Sequence, residues 1–269
     1  MKSMRLVFYV AAKEIREVFR DARLRTLLFL MPGCVLVLIG SVVGIAGGRG
    51  GSGAISQRAL GAFRSVHPDL GRLGPTLALQ GTLAQGLSFY LFLFPFAFAT
   101  QIAAYSVVGE KVHRTLEPLL ATPVKAWQLL LGKMLAACFP ALLVTWAAAA
   151  IYAGTLWQLT RSLPLLRVVF SPAFLLALGA GVPCQCLMAV SAAVWASSRT
   201  NDPRAATQMA AVLMLPVMGL LFVGAAVGVV QFGLALAFAV VFVSALLAGF
   251  GVWIALIGFQ REKILTQWK

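Results

Sequence analysis

Gly109-Glu110-Lys111-Val112-His113-Arg114-Thr115-Leu116-Glu117-Pro118-Leu119-Leu120-Ala121-Thr122-Pro123-Val124-Lys125-Ala126-Trp127-Gln128-Leu129-Leu130-Leu131-Gly132-Lys133 lies between two long apolar runs. Charge comes first (Glu110, Lys111, Arg114, Glu117), then a greasy pair (Leu119, Leu120), then Thr122-Pro123. Thr115 with Glu117-Pro118 has the marks of a helix start: a hydroxyl to cap it, an acid in the first turn and an early proline. Thr122-Pro123 marks its end, because proline disfavours helix in the residue before it. The expectation is a compact amphipathic helix in a loop between two spans. Such an element has the outline of a docking piece: it pushes on a partner or is pushed by one.

Outward from this stretch the chain is apolar. Of its 269 residues 61% are hydrophobic and only 11% charged, with mean hydropathy +0.92. Soluble domains sit near half apolar and a quarter charged, so this is a polytopic membrane protein with the bilayer as its solvent. The net charge of +14 invites a nucleic-acid partner. The basic residues stand at span ends rather than on one soluble face, which excludes that reading and makes them topology signals and contacts for lipid head groups.

Six spans of the length a bilayer demands are expected, at about 26–47, 87–108, 134–157, 171–195, 207–230 and 234–259. The last two are joined by almost nothing, which predicts a tight helical hairpin. Lys2, Arg5, Lys13, Arg16, Arg20, Arg23 and Arg25 precede the first span, and Lys111, Arg114, Lys125 and Lys133 lie between the second and third. Arg199, Arg204, Arg261, Lys263 and Lys269 fall on the same side. The other side holds Arg49, Arg58, Arg64, Arg72, Arg161 and Arg167. The positive-inside rule therefore predicts both termini and the 109–133 loop in the cytoplasm. The charged, amphipathic N-terminus does not read as a cleavable signal.

Residues 1–25 form an expected interfacial helix, followed by the spanning domain over 26–259 and a tail over 260–269. Val7, Val10, Ala11, Ile15 and Val18 share its apolar face, and Lys13, Arg16, Glu17 and Arg20 the other. Glu14 breaks this pattern. It either meets a basic or amide group of a neighbouring helix or snorkels to water. The longest outer loop is expected over 48–86, opening on a flexible glycine-rich run, with a short helix at 59–66.

Several chemistries are excluded. Gly132-Lys133 is followed by Met134 and preceded at the key position by Trp127, so it is no P-loop. His67 and His113 are isolated loop residues, which leaves no metal site in prospect. Cys34, Cys138, Cys184 and Cys186 all fall within apolar spans, as core cysteines do. No carboxylate stands at mid-span, where an ion-coupled transporter keeps its coupling groups.

The inner loop resembles that of the permease subunits of ABC-2 type ATP-binding-cassette exporters. That family carries a run of the form Glu-(charged)-x-(basic)-Gly-Thr-Leu-Glu-x-Leu-Leu-x-Thr-Pro after its second span. Glu110, Lys111, Thr115, Leu116, Glu117, Leu119, Leu120, Thr122 and Pro123 match it; Val112 and Arg114 depart from it. Gly132-Lys133 at the start of the third span, 13–23, 208–216 and 259–265 are similar in order, and only 48–86 is left unexplained. The resemblance implies an all-α fold of six transmembrane helices with an N-terminal interfacial helix and a cytoplasmic coupling helix. It implies a separate cytosolic ATPase subunit carrying ATP and Mg, no cofactor on this chain, and two permeases with two ATPases in a prokaryotic cytoplasmic membrane. Pairing with itself or with a second permease stays open. Glu110, Arg114 and Glu117 would give polar coupling contacts, with Leu119 and Leu120 seating the helix; Lys111, Thr115, Leu116, Thr122 and Pro123 complete the coupling set.

The translocation path would run between two copies, lined by the second and fifth spans. Phe94, Phe98, Gln101, Gln185, Gln208, Met214 and Pro216 are its candidates; for the amides the competing reading is glue between helices, and for the apolar groups it is packing. Two other classes stay open: a scaffold that sends force or signal across the membrane on the same fold, and a secondary transporter.

Overall fold

The computed structural model describes residues 2–48, 75–112, 126–200, 202–228 and 233–258, and every regular element among them is a helix. The coupling residues from Arg114 to Pro123, the expected helix at 59–66 and the tail at 260–269 lie outside the described residues.

Helix α1 (Lys2–Arg20) runs almost without a break into α2 (Ala22–Gly47), since Asp21 N–H donates to Glu17 O and Arg25 N–H to Asp21 O. Helix α3 (Pro75–Ser88) begins on a proline, whose missing N–H costs nothing in a first turn. A 3-10 turn, Phe89–Phe92, joins it to α4 (Leu93–Val112). Pro95 explains the tightened turn: it has no N–H for the carbonyl of Leu91, and its ring crowds that carbonyl.

The outer loop is therefore shorter than the expected 48–86. Residues 76–86 belong to α3, where Gln80 is buried and its Nε2 donates to Val43 O at 3.2 Å. An amide that finds a carbonyl on a neighbouring helix is tolerated in a membrane bundle.

Helix α5 (Ala126–Thr160) has 35 residues and overruns its expected bounds of 134–157 at both ends. At 1.5 Å per residue it is roughly 52 Å long, well beyond a hydrocarbon core of roughly 30 Å. It stops at Arg161, which takes φ 48° while its N–H still donates to Trp157 O. Short helices α6 (Leu163–Val169) and α7 (Pro172–Leu176) follow. A π-helical turn, Ala177–Gly181, then feeds α8 (Val182–Arg199). In π register the Val182 N–H reaches Ala177 O. The next donor is position 183, a proline, so the Leu178 carbonyl has no partner in its own helix. Trp146 Nε1 of α5 donates to it at 3.2 Å. The chain closes with α9 (Pro203–Gly228) and α10 (Leu234–Gly258).

Five stretches among the described residues are long and apolar enough to cross a membrane: Leu24–Gly47, Thr76–Gly109, Trp127–Thr160, Pro172–Arg199 and Leu234–Ala255. The remaining expected span coincides with α9, a helix of 26 residues. Helix α8 is central, packed on α4, α10, α9 and α5, while α5 also holds α1 and α2. The expected hairpin of the last two helices is modest. Helix α10 lies chiefly along α8, where Gly251 makes room for Ser191 Oγ. Close approach through small residues is what drives helix packing where lipid is as apolar as the side chains.

Candidate functional site

The densest polar chemistry among the described residues is a triangle that joins three helices. Glu14 of α1 is 6% exposed. Its Oε1 pairs with Lys133 Nζ of α5 at 3.2 Å, and its Oε2 accepts from Ser106 Oγ of α4 at 2.8 Å. Lys133 Nζ closes the figure by donating to Ser106 Oγ at 2.8 Å, with its side chain 2% exposed. Lys13 approaches the Glu14 carboxylate from outside at 3.7 Å and pairs with Glu17 at 3.1 Å.

Each helix brings its residue here for a local reason. Val7, Ala11, Glu14 and Val18 form one stripe at four-three-four spacing, so the acid sits in line with the buried apolar residues. Gly132 lets α1 approach: a Cβ there would lie 2.8 Å from Val10 Cγ1 and 3.2 Å from Val7 O. The following residue, Lys133, is thereby placed under the passing helix. Of the two readings of Glu14, pairing with a basic residue of a neighbouring helix is the one the geometry supports.

Burial pushes the Glu14 carboxyl up, but the Lys133 charge, the hydrogen bonds from Ser106 and Lys133 and the Lys13 charge together hold it below the ordinary carboxylate value. Glu14 is therefore a carboxylate near neutrality, with the Lys133 amine beside it. A buried pair of this kind is costly to break from one side, because the surviving charge is left without a counter-charge.

The position of the triangle matters more than its strength. Ser106 lies on α4 shortly before residues 113–125, and Lys133 on α5 shortly after them. The two helices that flank that segment are thus tied to one another at one buried point, and both are tied to α1. Glu110 and Lys111 continue α4 as helix towards it. Ser106 was not singled out by sequence; a lone hydroxyl in an apolar helix carries no signal until its partners are known.

The candidate path residues do not share one surface. Phe94 and Phe98 are buried against one another, with ring centroids 5.9 Å apart. Gln185 and Met214 are buried too, and neither amide atom of Gln185 has a hydrogen-bond partner among the described residues. Gln101 is half-buried on α4, while Gln208 and Pro216 are exposed on α9.

No curated protein matches the sequence. The model of the family described as ABC-2 family transporter protein matches residues 76–243, more than half of the chain. That span runs from α3 into α10 and includes Ser106, Lys133 and the whole 113–125 segment. With its membrane-crossing helices, the chain is an integral membrane protein that belongs to the ABC-2 transporter family.

Proposed function

We propose that the chain is the membrane-spanning permease of an ATP-driven exporter, working with a separate ATP-hydrolysing subunit. Family membership is the observation that carries this reading. Two copies of the chain stand side by side in the cytoplasmic membrane of a prokaryote, each docked on one ATPase subunit that holds ATP and Mg. Six spans, with α9 as the fifth, put both termini and the 113–125 segment in the cytoplasm, in accord with the distribution of basic residues.

In this reading the 109–133 loop carries a coupling helix. Glu110, Lys111, Arg114, Thr115 and Glu117 make polar contacts with the ATPase, Leu116, Leu119 and Leu120 seat the helix, and Thr122-Pro123 ends it. Closure of the ATPase pair then pushes on α4 and α5 together, because the Glu14–Ser106–Lys133 triangle joins their ends. The spans switch access from one face of the membrane to the other. The outward-facing polar groups of α4 and α9, Gln101 and Gln208, and Pro216 suit a path between two copies. Phe94, Phe98, Gln185 and Met214 support it from behind. A greasy path with a few hydrogen-bonding points suits a hydrophobic or amphipathic substrate.

Two measurements test this. Purification of the tagged chain from its native membrane should bring down a nucleotide-binding ATPase in equal amount; its absence would remove the exporter reading. Glu117→Lys should leave membrane insertion and ATPase association detectable while separating ATP hydrolysis from transport. Unchanged coupling in that variant would remove the docking role of the loop.

A further inference from the structure

Helix α1 carries two apolar stripes, and protein covers only one of them. Val7, Ala11, Glu14 and Val18 are buried. One position on, Phe8, Ala12, Ile15 and Phe19 repeat the same spacing, yet Phe8 is 63% and Phe19 38% exposed. Tyr9, Arg16 and Arg20 border this second stripe and are exposed. Among the described residues neither arginine is in an ion pair, and the acid on the polar face, Glu17, is engaged by Lys13 at 3.1 Å. An apolar stripe edged by tyrosine and unneutralised arginines has the profile of the boundary between acyl chains and phosphates.

We propose that α1 binds the head groups of anionic phospholipids through Arg16 and Arg20, with Phe8, Ile15 and Phe19 in the acyl boundary. The Glu14–Lys133–Ser106 triangle relays the state of this surface to both ends of the 113–125 segment. The charge fits an anionic bilayer, and the uncovered stripe fits its hydrocarbon edge, which a soluble anion would not fill. The relay follows from burial. Helix α1 cannot move without either carrying Lys133 and Ser106 along or breaking a buried ion pair and its hydrogen bonds, which is costly. Lipid composition thus sets the resting position of α4 and α5, the helices on which, on the function proposed above, the ATPase acts.

The test uses the full chain in nanodiscs of phosphatidylcholine into which phosphatidylglycerol is titrated, with hydrogen–deuterium exchange read along the chain. Exchange in α1, at the end of α4 and at the start of α5 should slow together as phosphatidylglycerol rises. Neutralising Arg16 or Arg20 to glutamine should raise the phosphatidylglycerol needed by about fivefold per residue. Glu14→Gln should keep the response in α1 and lose it in α4 and α5, and the charge-swapped pair Glu14→Lys with Lys133→Glu should restore it. An equal response in the Arg16→Gln, Arg20→Gln double variant overturns the lipid site. So does reproduction of the effect by inorganic phosphate in discs without phosphatidylglycerol. A response of α4 and α5 that survives Glu14→Gln overturns the relay. None of these readings needs an ATPase, so their failure is distinct from failure of the exporter function.

Discussion

Glu14 shows what a single charged residue contributes when its partners are buried with it. Removing the charge by Glu14→Gln breaks the buried ion pair with Lys133, and the expected loss is about 3–5 kcal/mol of stability. Thermal unfolding in detergent measures it. The pH dependence follows from the direction of the shift. The carboxyl is held below its ordinary value in the folded chain, so its stabilisation is fully present above the unfolded value and is lost as pH falls through the folded one. The gap between wild type and Glu14→Gln should therefore be constant near neutrality and close on acidification below the ordinary carboxylate range. A gap that widens at low pH would contradict the pairing. Replacing both partners, Glu14→Leu with Lys133→Met, should recover most of the stability, since an apolar pair can fill a buried ion-pair site at little cost.

At the level of helices, two contacts decide how elements meet. Gly132 sets the distance between α1 and α5. Gly132→Ala should push α1 away from Lys133 and cost about 1–3 kcal/mol by overpacking, with faster backbone exchange in α1 as the direct readout. The second contact is at the π turn before α8. Trp146→Phe keeps the ring but removes the donor to Leu178 O, a carbonyl left orphaned by Pro183. The expected loss is about 1 kcal/mol, read as a lower unfolding temperature. Trp146→His, which retains a ring N–H, is the control.

For the whole molecule the prediction concerns sidedness. With six spans, a single cysteine at position 62 in a cysteine-free background should be labelled by an impermeant reagent from outside intact cells. One at position 121 should be labelled only after the membrane is opened. Labelling of both from outside would mean that the chain does not cross between them at 76–109, and would undo the side on which the ATPase is placed. The exposed arginines of α1 are among the basic residues that predict this orientation, so the proposed lipid contact and the sidedness rest on the same charges.

The helical, membrane-spanning character was legible in the sequence because the bilayer leaves the backbone few choices. Long apolar runs must be helices, and charges must gather at their ends. The family likeness was legible in the order of charged, apolar and proline residues from Glu110 to Pro123. The exact ends of the helices were not. Residues 75–86, expected in the outer loop, are helical, and Gln80 within them is buried on Val43 O, a contact that hydropathy does not reveal. Glu14 was legible as an anomaly on an apolar face, and Lys133 as the residue opening a span. That the two meet, with Ser106 between them, was decided only by tertiary structure. Their separation along the chain carries no distance information, and it is the packing of α1 over Gly132 that turns three separate polar residues into one buried site.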